Sequence, residues 1–222
     1  GAGVVAVLTP ARAGPRRIGA CLQSIRAASR HPGLAGEAVS VFVALDRCRD
    51  GTAAIAEACL ATTVACASGV GAARAAAAEA ALARGARWLA CTDADTRVPA
   101  HWLAAQLSCG APVFCGPVRV ASWRSYRAAT RRAFECWESP VDGHPHVHGA
   151  NLGCSAAAYR AVGGFAPLAT GEDVALVGRM VAAGLAVARR GDPWVLTSAR
   201  RNARAAHGFS GFLAALDTSA AD

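Results

Sequence analysis

Asp93-Ala94-Asp95 sets two carboxylates two residues apart, directly behind the apolar run Trp88-Leu89-Ala90-Cys91. That run, bounded by Gly85 and Pro99, reads as a buried strand whose end delivers both acids into a loop. In open α/β sheets ligands collect outside the carboxyl ends of the strands, so this is where a site is built. Hard divalent cations take oxygen ligands, and magnesium in particular is held by one or two carboxylates together with substrate phosphates. A nucleotide diphosphate with its metal fits that donor set. The plainer account is that one Asp caps the helix expected from near Pro99 while the other is solvated.

The elements around these acids are regular at first. Apolar runs at 4–8, 38–45 and 62–66 predict three further strands, and helices are expected at 15–29, 53–60 and 69–84. The second strand also runs into acids, in Asp46-Arg47-Cys48-Arg49-Asp50-Gly51-Thr52. Strands alternating with helices of this length imply an α/β fold, a mostly parallel central sheet with helices on both faces. A strand is expected over 112–120, broken or near an edge because of its prolines. Over 122–138, Trp123, Tyr126, Phe134 and Trp137 share a helical face, either as core or as an acceptor or membrane surface. The stretch 142–151 is a polar loop with His144, His146 and His148 at alternate positions, compatible with a metal site or with mere solvation. A helix from Gly171-Glu172-Asp173 to Met180, a short strand over 193–196 and a basic tail over 200–209 complete the pattern.

With 222 residues and no linker or repeat, a single domain over 1–222 is expected, with a regular part over about 1–118 and a less regular part over about 119–222. At 54% hydrophobic and 17% charged residues, the chain is too apolar for disorder. No uncharged apolar run reaches the roughly 18 residues that span a bilayer, so a cytoplasmic protein is expected, with peripheral contact at the inner face of the membrane left open. The nine cysteines form no Cys-x-x-Cys pair and read as reduced, mostly buried thiols. All 23 basic residues are Arg, and the net charge of +8 favours an anionic partner without choosing one.

Three alternatives stand beside a site for a nucleotide diphosphate and its metal. Gly69-x-Gly71 opens a helix about 20 residues before Asp93, as in a dinucleotide-binding unit, but Arg74 stands in place of the third glycine. Asp93-Ala94-Asp95-Thr96 looks like the nucleophile and acid pair of haloacid dehalogenase phosphatases, although several βα units precede it. An Arg-rich nucleic-acid-binding module has the net charge in its favour and no stacking motif or recognition helix.

Taken together and in order, Asp46, Asp50-Gly51-Thr52, Ala73-Arg74-Ala75, Asp93-Ala94-Asp95, Gly149-Ala150-Asn151, Gly163-Gly164-Phe165 and Gly171-Glu172-Asp173 resemble the family 2 glycosyltransferases of the GT-A fold. The resemblance covers nearly the whole chain and implies a three-layer GT-A sandwich. It implies transfer of a sugar from a nucleotide diphosphate sugar to a small-molecule, lipid or glycan acceptor, with inversion and without a nucleic-acid partner. It places Pro10, Ala11, Arg12, Asp46, Asp50, Arg74, Asp93, Ala94, Asp95, Gly149, Ala150 and Asn151 around the nucleotide sugar. Asp93 and Asp95, with His207 from the tail, would hold Mg2+ or Mn2+, and Arg200, Arg201 and Arg204 would screen phosphate charge. Asp173 would be the catalytic base, with Glu172 beside it. The chain departs from the pattern in three places: Ala75 replaces the usual Asn, no acid follows Pro10, and the Gln-x-x-Arg-Trp of processive synthases is missing.

Overall fold

Along the first strand, neighbouring residues are buried in two different cores. Val5 and Val7 join one apolar cluster with Ile18, Leu22 and Ile25, while Ala6 and Leu8 join a second with Ala73, Ala77 and Ala81. Successive side chains leave a strand on opposite faces, so a strand buried in this way needs a layer on each side.

The computed structural model describes residues 3–12, 14–66, 69–201 and 208–219. Its first half runs β1 (Val4–Ala11), α1 (Pro15–Ala28), β2 (Val39–Asp46), α2 (Thr52–Ala58), β3 (Thr62–Cys66), α3 (Val70–Ala83), β4 (Ala86–Cys91) and α4 (Trp102–Leu107). Then follow β5 (Val113–Cys115), β6 (Val118–Val120), α5 (Ala128–Glu138), β7 (Leu152–Ser155), α6 (Ala156–Ala161), α7 (Glu172–Ala182), β8 (Val187–Arg189), β9 (Val195–Thr197) and α8 (Phe209–Ser219). The central sheet has the order β3-β2-β1-β4-β7-β5-β8, and β6 and β9 form a separate parallel pair. Helices α1 and α4 cover one face of the central sheet, and α3, α6 and α7 cover the other. This is the three-layer arrangement expected, with helices around a mostly parallel sheet. Among the described residues no helix is long and apolar enough to cross a membrane.

Local chemistry accounts for the elements and for where expectation and structure part. Pro15 begins α1, where its missing N–H is one that no helical bond would use. The Ala run of α3 combines high helix propensity with side chains small enough to lie close on β1 and β2. Residues 112–120 do not form one strand: Gly116 and Pro117 break it, sending β5 to the central sheet and β6 to the small one. Helix α5 starts at Ala128, six residues later than the pattern suggested. Its start is fixed from outside, because the Asp217 carboxylate of α8 accepts the Arg127 N–H at 3.3 Å and the Thr130 hydroxyl at 2.5 Å. Trp123 and Tyr126 lie before the helix yet still meet the aromatic cluster, with the Trp123 ring 5.4 Å from that of Phe134.

The strand that matters most to the site, β7, follows directly on the expected polar loop and was given no assignment from the sequence. β7 is antiparallel to both β4 and β5, with Leu152 opposite Cys91 and Ser155 opposite Trp88. An antiparallel strand begins where its neighbour ends, so β7 brings the preceding residues, Gly149 to Asn151, beside the loop that follows β4.

Candidate functional site

The acids at the ends of β2 and β4 are held differently. Asp46 is the last residue of β2 and is buried, with Arg47 Nε 3.1 Å and Arg12 Nε 3.9 Å from its carboxylate. Asp50 accepts the Thr52 hydroxyl at 2.5 Å, the Thr52 N–H at 3.1 Å and the Gly14 N–H at 2.9 Å. These bonds, led by the Thr52 hydroxyl, hold its carboxyl below the usual range. Asp50 thus ties the start of α2 to the loop after β1.

Asp93 and Asp95 stand beyond β4, where Thr92 still donates its N–H to Leu8 O at 3.1 Å. Asp93 Oδ1 accepts from Arg74 at 2.7 Å, and its side chain is 37% exposed. Asp95 is more enclosed and accepts a charged hydrogen bond from Arg200, with Arg17 at 3.7 Å. Arg74, on the first turns of α3, is the hub. Its Nε donates to Glu172 Oε1 at 2.9 Å, one terminal nitrogen to Gly149 O at 2.6 Å and the other to Asp93. Only 2% of Arg74 is exposed. Burial by itself would lower its pKa, but Asp93 and Glu172 outweigh burial and hold the guanidinium charged. Burial pushes the Glu172 carboxyl up, against the opposing pull of Arg74. At Gly149 a Cβ would run into the Arg74 guanidinium, so the residue type there follows from the hub.

Asp173, on the first turn of α7, accepts the Gly149 N–H at 2.5 Å through Oδ2 and the Val174 N–H at 2.8 Å through Oδ1. Gly149 therefore joins Arg74 to Asp173, its carbonyl accepting from Arg74 and its N–H donating to Asp173.

These groups line one cavity of about 960 Å³, at the large end of small-molecule sites. Of the residues expected around a nucleotide sugar, Pro10, Ala11, Arg12, Asp46, Arg74, Asp93, Ala94, Asp95, Gly149 and Ala150 are on its wall, as are Glu172 and Asp173. Two are not. Asp50 is turned to the loop bonds above, and Asn151 is fully buried, donating to Pro117 O at 2.9 Å and Pro193 O at 2.8 Å while accepting the Trp102 indole N–H at 2.9 Å. Arg74 reaches the wall with all three nitrogens bonded to protein oxygens. Arg200 is at the cavity, whereas Arg201 turns to Asp217 and Ser125 O. His207 and Arg204 lie outside the described residues.

The sequence did not single out Arg17, Phe209 or Phe212, which line the cavity, whereas Trp137, also on the wall, belongs to the helical face read either as core or as an acceptor or membrane surface. Trp137 packs 4.5 Å from Phe212 and is 43% exposed, so its ring is core on one side and open on the other. No local signal marks Phe209 and Phe212, because α8 and α5 meet only through the fold. Gly69-x-Gly71 has a packing explanation: a Cβ at Gly71 would enter the backbone of Ala166 and Leu168, and its N–H donates to Leu168 O at 3.1 Å.

The model of the family described as glycosyl transferase family 2 matches residues 6–154. No curated protein matches the chain. Among solved structures, the chain is similar to a mannosyltransferase, PcManGT from Pyrobaculum calidifontis, in complex with GDP-Man and Mn2+. The two share 16% identity and a TM-score of 0.67, over 94% of this chain and 59% of that one. It is also similar to residues 1–349 of S. aureus TarS in complex with UDP-GlcNAc, at 13% identity and a TM-score of 0.66, over 92% of this chain and 61% of that one. A mycobacterial protein matches at 17% identity and a TM-score of 0.65, over 99% of this chain and 72% of that one. The chain spans about three fifths of the length of the first two.

Proposed function

Because the chain belongs to glycosyl transferase family 2, we propose that this glycosyltransferase moves a sugar from a nucleotide diphosphate donor to an acceptor hydroxyl, with inversion at the anomeric carbon. The family membership removes the phosphatase and dinucleotide alternatives. One observation carries the reading: Asp46, Asp93, Asp95 and Asp173, supplied by β2, β4 and α7, open into a single cavity. Donors in the neighbours, GDP-Man in one and UDP-GlcNAc in the other, are of the class that such a cavity suits. The reading also makes one catalytic unit of the chain, since Asp93 comes from its first part and Asp173 from its second.

Asp93 and Asp95 suit a divalent ion of the Mg2+ or Mn2+ class. Both are carboxylates on the cavity wall, and among the described residues Asp93 Oδ2 accepts no hydrogen bond. Mn2+ accompanies GDP-Man in the mannosyltransferase neighbour. When bound, such an ion neutralises charge on the departing diphosphate.

The chain's own groups do the rest. Asp46, backed by Arg12 and Arg47, accepts hydrogen bonds from the base or ribose of the donor. Arg17 and Arg200 set positive charge beside Asp95, where the diphosphate would lie. Asp173 takes the acceptor hydroxyl's proton as the oxygen attacks the anomeric carbon, and the bond from that carbon to the diphosphate oxygen breaks on the opposite face. The Gly149 N–H and the first turn of α7 fix that carboxylate, and a fixed base is what orientation requires. Trp137, Phe209 and Phe212 offer the acceptor an apolar wall, which suits the face of a glycan or a lipid chain.

The test is a thermal-shift series with uridine, guanosine, adenosine and cytidine diphosphates, with and without Mn2+. A ligand that binds only the native state raises the midpoint by mass action. Stabilisation by one base, strengthened by Mn2+, is expected. Equal, metal-independent responses to all four would overturn the reading.

A further inference from the structure

We infer that Glu138, His146 and His148 form a second metal site, of the zinc class, which shares no ligand with Asp93 and Asp95. The loop before β7 lines up its three histidines: the rings of His144 and His146 stack at 5.8 Å and those of His146 and His148 at 6.0 Å, tilted by 16° and 21°. His144 is already committed, its Nε2 lying 3.2 Å from Arg190 O. The other two meet a carboxylate from a different element. Glu138, the last residue of α5, lies with its two oxygens 3.1 and 3.0 Å from His148 Nε2. One ligand atom from each of Glu138, His146 and His148 lies within 4.8 Å of the other two.

That spacing is close to what a metal needs. Tetrahedral zinc with bonds of about 2.0–2.2 Å to nitrogen and oxygen separates its ligand atoms by about 3.4 Å. The Glu138 and His148 pair would open by only a few tenths of an ångström, and the half-buried His146 would close by at most about 1.4 Å. Two imidazoles and one carboxylate form the set that zinc accepts while keeping a fourth position for water or substrate. Imidazole favours zinc and its late first-row neighbours over magnesium or manganese, which separates this site in chemistry from the Asp93 and Asp95 pair. Glu138 is also buttressed as ligating carboxylates are, because its Oε1 accepts the Val118 N–H at 2.8 Å.

A simple ion pair between His148 and Glu138 would explain those two residues without a metal. It leaves out His146, whose ring makes no hydrogen bond among the described residues and rests 4.2 Å from the Trp137 ring. Both histidines line the cavity, so the open position of the metal would face it. His148 precedes Gly149, whose N–H holds Asp173, so metal binding would also stiffen the support of that acid. This last consequence rests on the proposed function; the metal site itself does not.

The experiment uses the whole chain, stripped of metal by chelation and dialysed, titrated calorimetrically with Zn2+ in the absence of nucleotide. One equivalent is expected to bind, and Co2+ in its place should give the intense visible bands of a low-symmetry, four-coordinate complex. At a hundredfold excess over Kd, zinc should raise the thermal midpoint by about 5–10 °C. His146→Ala, which breaks no hydrogen bond among the described residues, should weaken zinc at least tenfold while its circular dichroism stays that of the wild type. Asp93→Asn with Asp95→Asn should leave zinc binding in place. Zinc bound equally well by His146→Ala, zinc lost instead in the double Asp variant, or no binding at tens of micromolar metal would each overturn the site. Failure here with a nucleotide-selective thermal shift intact would leave the transferase reading standing.

Discussion

Arg74→Met tests the hub of the site. Methionine nearly fills the space but removes the charge, leaving Glu172 buried without its partner, Gly149 O without its donor and Asp93 released. Removing one member of a buried ion pair costs about 3–5 kcal/mol, chiefly because the remaining charge stays buried. For a chain of this size each kcal/mol lowers the midpoint by about 2–4 °C, so the expected loss is about 6–20 °C by calorimetry. Glu172→Gln in the same background should restore part of it, with a coupling of about 0.5–3 kcal/mol in the double-mutant cycle. The pH dependence has a definite sign. Burial already raises the Glu172 carboxyl, and without Arg74 nothing of comparable strength opposes that rise. A group whose folded pKa lies above its unfolded value contributes most below the unfolded pKa and loses that contribution as pH rises through the folded pKa. The defect of Arg74→Met should therefore be full near neutrality and shrink as pH falls towards the ordinary Glu value of about 4.3. A midpoint within about 2 °C of wild type, or a loss independent of pH, would refute the hub.

Asp173→Asn keeps the shape and removes the base, so transfer should be abolished while nucleotide binding by calorimetry is retained; near-normal turnover would contradict the mechanism. Asp95→Asn should weaken the Mn2+-dependent part of nucleotide binding at least tenfold, and undiminished metal-dependent affinity would remove Asp95 from the donor site. Asp46→Ala should raise KM for the donor more than it lowers kcat, the pattern of lost uniform binding, and the reverse split would show that Asp46 acts on the chemical step. Asp217 links α8 to α5, and its hydrogen bond from Thr130, with Arg201 beside it, lowers its pKa to about 2. Its stabilising contribution is present above the unfolded value and is lost as pH falls through the folded one, so wild type should lose stability between about pH 4 and pH 2 through this group. Asp217→Asn should lack that part of the acid transition in pH-dependent melting.

Strands β1 to β4 were legible because each is a short, mostly apolar or β-branched run, and those of β2 and β4 lead into acids, as strands that deliver side chains to a site do. β7 was not, because Leu-Gly-Cys-Ser is too short and too mixed to show any period. The start of α5 was misread for a related reason: the aromatic pattern persists through Trp123 and Tyr126, but what fixes the start of the helix is Asp217, 90 residues from Arg127. Glu138 drew no reading of its own from the sequence, and only the fold sets it, at the end of α5, against His148 in the loop before β7.

The hub shows most clearly where sequence reading stops. Arg74 stood out as a member of a family pattern, which implied a contact with the donor, and as a residue in the wrong place for a dinucleotide fold. Its partners lie 19, 75 and 98 residues away, so no spacing rule reveals that its three nitrogens are engaged by the protein. A buried Arg bound in this way is pre-organised as few other side chains are, since its planar fork addresses three oxygens at fixed angles. Through Glu172 it orients the helix that carries Asp173, through Gly149 it sets the backbone that bonds Asp173, and through Asp93 it orients a strand-end acid. The first part of the chain thereby positions the proposed base, which the second supplies. Loss of this one cation should be felt at both carboxylates together, and Arg74→Lys, which keeps the charge but cannot reach all three oxygens, should recover stability more fully than it recovers transfer.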